Sequence, residues 1–183
     1  VETMIYFLDA VMTDFITKLE AMRDSEDEDK RLAFRFMERP YNFAVANRAL
    51  GVGVLGYHSY LQRKGVAFES AEAGALNEEL FALIKERSHA ASAEMAKAYG
   101  EPELLKGYGM RHTTTMAIAP NTSSAFILGQ VSQGIEPIWS NCYIKDVAKM
   151  KVVIKNPTLI DLLIEKGKDT KEVWDSIRDA DGS

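Results

Sequence analysis

Apolar spacing along the chain predicts a helix-rich α/β fold. Three observations carry this: long stretches with apolar residues three and four apart, short β-branched runs between them that stop at proline or glycine, and a G-x-G-x-x-G stretch where a strand would feed a helix. With 183 residues, 46% hydrophobic and 27% charged, the chain is long enough for one soluble domain with its own core, expected to span residues 1–183.

From Glu2 to Met22 the residues Met4, Ile5, Leu8, Val11, Met12, Phe15, Ile16, Leu19 and Met22 share one helix face. Residues 23–31, RDSEDEDKR, concentrate charge of both signs and read as a solvated connection between helices. They lack the alternating ligands and central glycine of a calcium loop. A second helical stretch covers Leu32 to Asn47, with a break or fresh start expected at Pro40. Leu50 to Leu55 is a strand candidate leading into a helix from Tyr57 to Arg63. Leu76, Leu80, Leu83, Ile84, Ala91, Met95 and Ala98 mark a further helix that ends at Gly100 and Pro102. His112 to Ala119 is β-branched at its start and apolar at its end, a short buried strand stopped by Pro120. Asn121 to Gly129 reads as a turn into a helix, and PIWSNCYIK and KMKVVIK as strands. Asn156 is placed to cap a helix from Thr158 to Lys166, with Pro157 in its first turn and Gly167 at its end. Asp169 and Glu172 stand at capping-box spacing before the last helix.

A net charge of −5 without a basic cluster argues against a nucleic-acid backbone and an acidic membrane surface as partners. No apolar run reaches the roughly 18 to 20 residues of a membrane span, and the N-terminus lacks the pattern of a secretory signal, so a cytoplasmic location is expected. The one cysteine, Cys142, can build neither a disulfide framework nor a cysteine-based zinc site, and no metal site is expected. The chain opens at Val1 inside an amphipathic pattern and closes at DADGS, as a part of a longer protein would.

Gly51, Gly53 and Gly56 spell G-x-G-x-x-G. A dinucleotide site would need a βαβ unit around them and an acidic residue some 20 positions on, where Glu69 and Glu72 are candidates. Two helical stretches precede the glycines where such a domain would begin, and no alternating strand and helix series follows. Tight strand-to-helix packing is the favoured role. Glu86 and His89 form half of a di-iron motif with no second copy. His58 and His112 have no partner at ligand spacing, and a triad of Ser123, His112 and an aspartate lacks a nucleophile elbow.

APNTSSAFILG crowds Asn121, Thr122, Ser123 and Ser124 at the mouth of an apolar helix. Hydroxyls and free amides there suit a phosphate, although any of the four would also serve as an ordinary N-cap, which chemistry alone favours.

Two segments in register carry a family resemblance. NRALGVGVLGYHSYLQRKG resembles the Gly-rich strand and helix of the ribonucleotide reductase catalytic (large) subunit, class I-like. MAIAPNTSSAFILGQVSQGIEPIWSNCYIKDV resembles that family's substrate-phosphate loop, its helix and the Ile-Glu-Pro strand start, and VVIKNPTLIDLLIEKG the stretch beyond. The resemblance implies about half of a ten-stranded α/β barrel, the second half, in which Gly51, Gly53 and Gly56 serve close packing and do not bind NAD. It implies that Thr122, Ser123, Ser124 and the Ala125 amide hold the phosphates of a ribonucleotide, with Pro120 fixing the turn and Asn121 at its tip. Asn121 stands where other members have Ser or Thr.

The family's chemistry needs a radical-forming cysteine and a reducing pair, which one cysteine cannot supply. The resemblance therefore implies that this chain holds no catalytic residue, binds no cofactor and is inactive alone. A radical-generating metal subunit, a thiol reductant and the remainder of the catalytic subunit would act with it. Half a barrel would expose strand edges and apolar surface, so a homodimer or other self-association, or binding of the missing half, is expected. The alternative is a non-catalytic helical binding module whose Ser/Thr loop only caps a helix.

Overall fold

The computed structural model describes residues 1–147 and 150–183. In order the elements are α1 (Glu2–Arg23), α2 (Glu28–Asn47), α3 (Tyr57–Lys64), α4 (Ala71–Tyr99), a 3₁₀ turn (Glu103–Leu105), α5 (Thr122–Ile127), β1 (Cys142–Val147), β2 (Met150–Lys155), α6 (Pro157–Glu165) and α7 (Lys171–Asp179). They divide into two compact units, Val1–Gly53 with Glu78–Ala117, and Val54–Asn77 with Ile118–Ser183.

In the first unit α1 buries Ile5, Ile16 and Leu19. Ile5 meets Leu50, Val52, Ala91 and Met95 in one cluster, with Leu8 and Met12 against it. The buried stripe is narrower than the apolar one, since Met4 and Val11 stay half exposed. The charged stretch is shorter as a connection than its composition suggests: Asp27 caps α2 by accepting from the Asp29 N–H at 2.9 Å, and residues 28–31 form the first turn. Acidic Glu28 and Asp29 suit the positive end of the helix. The break expected at Pro40 does not occur, and α2 runs through it. Pro40 and Phe36 lie on the exposed side, where water can serve the carbonyl that loses its N–H partner.

The strands expected around Val52 and Met116 are reduced to one parallel bridge between those residues. Leu50 N–H donates to Thr114 O and Val52 N–H to Thr115 O, both at 2.9 Å, and Ala117 N–H returns to Val52 O at 3.2 Å. The Leu50 carbonyl is taken by the Thr114 hydroxyl rather than by an amide, which ends the ladder on that side.

In the second unit β1 and β2, both expected as strands, pair antiparallel, from Cys142 opposite Lys155 to Val147 opposite Met150; Lys149, at the start of the second expected strand, lies outside the described residues. This is the one sheet among the described residues, so the half barrel does not appear as a multi-stranded sheet. α6 starts as predicted: Asn156 accepts from the Thr158 N–H at 3.1 Å, Pro157 takes the first turn, and Gly167 follows with φ +65. The capping box on Asp169 does not form. Thr170 is the N-cap of α7, and Asp169 instead accepts the indole N–H of buried Trp174 at 2.7 Å, which would otherwise lack a partner.

Candidate functional site

The glycine motif is built for backbone approach. A Cβ on Gly51 would stand 2.8 Å from the Ala117 Cβ, and one on Gly53 would stand 2.5 Å from the Ala117 carbonyl oxygen. Gly56, at φ +80, caps α3, and its amide donates to Ser132 O at 2.8 Å. Tyr57 N–H reaches Gly134 O at 3.4 Å, and Ser59 and Ser132 exchange amide-to-hydroxyl bonds at 3.2 and 2.9 Å. These are amides a pyrophosphate would need at a dinucleotide fingerprint, and here protein acceptors take them.

The Ser/Thr loop is arranged differently. Asn121 precedes α5 in the left-handed conformation at φ 48 and makes no side-chain cap; its Nδ2 donates to Ala119 O at 3.3 Å. Thr122 Oγ1 donates to Gln133 Oε1 at 3.0 Å. Ala125 is buried and its amide donates to Asn121 O at 2.9 Å, so that N–H is spent on the helix. Among the described residues, the amides of Thr122, Ser123 and Ser124 and the hydroxyls of Ser123 and Ser124 find no protein partner, and all three residues are exposed. Gly134 backs the loop, where a Cβ would stand 2.6 Å from Ala119 O. Lys145 on β1 places its Nζ 4.1 Å over the Phe126 ring, bringing a positive charge to α5 that sequence spacing did not reveal.

Sequence reading also missed a buried charged cluster in the first unit. Asp9, 4% exposed, accepts from Arg48 Nε at 2.8 Å, from Arg111 Nε at 3.1 Å and from His112 Nε2 at 3.1 Å. Arg111 Nη1 also donates to the carbonyls of Tyr99 and Gly100. Burial pushes the Asp9 carboxyl up, but the hydrogen bonds of His112 and Arg48 and the charges of Arg48 and Arg111 outweigh it and bring it down to about 2. Ser92 Oγ accepts the amides of Arg111 and His112, so its own proton points to His112 Nδ1, 2.9 Å away. His112 thus carries its hydrogen on Nε2, toward Asp9.

The order Ser92, His112, Asp9 imitates a hydrolytic triad, yet Ser92 is fully buried and its lone pairs are filled, so it is no nucleophile. One signal pointed to the cluster: Asp9 occupies a place on the apolar stripe between Ile5 and Met12. Glu86 and His89 are exposed on α4, and among the described residues no group of three or more metal-ligating side chains gathers. Cys142 is buried at the start of β1. No helix among the described residues is long and apolar enough to cross a membrane.

A family model described as the ribonucleotide reductase barrel domain matches residues 1–105 and 102–183. The chain is 36% identical over 149 residues to the ribonucleoside-diphosphate reductase large subunit of Invertebrate iridescent virus 6, a match covering 80% of this chain and 16% of that protein. It is 33% identical over 183 residues to the putative large subunit of Frog virus 3, covering 100% of this chain and 30% of the relative. The class Id ribonucleotide reductase alpha subunit of Actinobacillus ureae superposes with a TM-score of 0.82 at 47% identity, covering 100% of this chain and 31% of that one. The chain spans less than a third of the length of each of these relatives.

Proposed function

The chain belongs to the ribonucleotide reductase large-subunit family, as part of its barrel domain, and on that premise we propose that its Ser/Thr loop holds the phosphates of a ribonucleotide undergoing reduction. The observation that carries this reading is the uncapped start of α5. Four residues that ordinarily cap helices stand there, and none does so. Thr122, Ser123 and Ser124 offer amides and hydroxyls to an anion, Pro120 and Asn121 shape the turn, and Ala125 anchors it to α5.

The chain contributes about half of the ten-stranded barrel, in which the Val52–Met116 bridge extends into strands once neighbours flank it. Phe36, exposed on the first unit, and Ile118, Ile127 and Trp139, exposed on the second, each suit burial against the remainder of the catalytic subunit or a second copy. On this reading the radical-forming thiol and the reducing pair do not all lie in this chain, because its one cysteine cannot fill three positions. A radical-generating metal subunit and a thiol reductant act with this chain, which binds no cofactor of its own.

Titration of the purified chain with CDP and with pyrophosphate, read at the amide signals of residues 121–125, tests the loop. Saturable shifts that the Ser123→Ala, Ser124→Ala double variant weakens support a phosphate cradle. Unmoved signals, with the variant instead losing about 0.5–2 kcal/mol of stability, would make the loop a helix cap in a binding module.

A further inference from the structure

The first turn of α3 holds the segment after α5 through Gly56, Tyr57 and Ser59, and one more tie completes the grip. His58 Nδ1 accepts the Ile138 N–H at 3.0 Å, across 80 residues of chain. Pro137 has no N–H, so the Ile138 amide is the first donor after Glu136 that can fasten this stretch. An imidazole nitrogen accepts only while it bears no proton, so the bond selects the neutral ring with hydrogen on Nε2. A proton on Nδ1 would face the Ile138 N–H and set donor against donor.

We propose that His58 is a proton-operated clasp, which positions the Glu136–Ile138 backbone against α3 while neutral and releases it when charged. The ring is half-buried and packs edge-on against Phe68, with centroids 5.6 Å apart. Burial lowers its pKa below the ordinary imidazole value, and Glu69, from the turn after α3, acts the other way more weakly. The opposite segment, residues 132–140, carries Glu136 as its one ionisable side chain, and it is exposed. On α3 itself Arg63 and Lys64 lie at the far end, with Lys64 over the Tyr60 ring. The surroundings therefore keep the ring neutral until pH falls below the usual imidazole range. Gln133, within the held segment, is the residue that accepts from Thr122, so release would be felt at the Ser/Thr loop.

Ring nitrogen NMR and hydrogen-exchange protection of the Ile138 amide, measured on the whole chain at about pH 8 and about pH 5, test the clasp. The wild type is expected to show the Nε2–H tautomer at the higher pH and to lose protection at Ile138 by about tenfold or more as the ring charges. His58→Asn places Oδ1 where Nδ1 stands and cannot titrate, so its protection should persist at both pH values. His58→Ala should lack protection at both. A proton on Nδ1 at the higher pH, or the same pH response at Ile138 in the wild type and in His58→Asn, would overturn the proposal. The asparagine comparison decides the matter even if the alanine variant does not fold.

Discussion

Asp9 and Arg48 meet at 2.6 Å, both side chains almost wholly buried, and the pair ties the middle of α1 to the residue that ends α2. Arg48 ends that helix in the left-handed conformation at φ 44, which costs a residue with a Cβ about 1–2 kcal/mol. A glycine would adopt that shape freely, but it could not reach Asp9. The ion pair accounts for an arginine where helix endings favour glycine.

Removing the acid should therefore cost more than a surface ion pair does. Asp9→Asn leaves two arginines buried against a neutral amide, and a loss of about 3–5 kcal/mol in urea unfolding is expected. A loss below about 1 kcal/mol would mean that water reaches the cluster and screens it.

The same carboxylate sets an acid limit. Its pKa is about 2 when folded against an ordinary value of 3.8, so the unfolded chain takes up the proton first as pH falls. Its contribution, on the order of 2 kcal/mol, should be complete above about pH 4 and lost as pH drops toward about 2. Carbon NMR of the Asp9 carboxyl gives the folded value directly, and a midpoint near the ordinary one would remove this contribution.

Glycines 53 and 74 should respond oppositely to alanine. A methyl on Gly53 meets a backbone oxygen that cannot step aside, so Gly53→Ala should destabilise by about 1–3 kcal/mol. Gly74 lies exposed on α4 with nothing within 4 Å of a new Cβ, and Gly74→Ala should stabilise by about 0.4–1 kcal/mol. Chemical denaturation of both variants checks the contrast, and equal effects would place the Gly53 constraint elsewhere than at Ala117.

Asn156 does two tasks that one substitution separates. Its Oδ1 caps α6, while its Nδ2 donates to Asn141 Oδ1 at 2.8 Å and to Gln62 Oε1 at 3.2 Å. Asn156→Asp keeps the cap but turns a carboxylate oxygen toward two carbonyl oxygens. A loss of about 1–3 kcal/mol is expected although aspartate caps as well as asparagine. An unchanged melting temperature would show that capping is its whole role.

Signals carried within a few residues were legible without coordinates. Apolar period placed α1, α2 and α4; Asn156, Pro157 and Gly167 bracketed α6; and two short runs marked strands, though not that they pair. The Ser/Thr loop could be located by composition, because helix mouths select those residues, but composition could not say whether they cap the helix or leave it open. That depended on the left-handed Asn121 and on Gln133 drawing the Thr122 hydroxyl aside. Likewise the glycine motif announced tight packing without naming Ala117 or Ser132 as what is packed.

The Asp9 cluster lay furthest from reach. Its members come together from positions 9, 48, 92, 111 and 112, and no local rule links residues so far apart. Helical period and capping act through neighbours along the chain, so the order of residues determines them. Which buried donor meets which acceptor depends on how the segments pack, because burial makes an unpaired charge so costly that the fold must supply its partner, and that was settled in three dimensions alone.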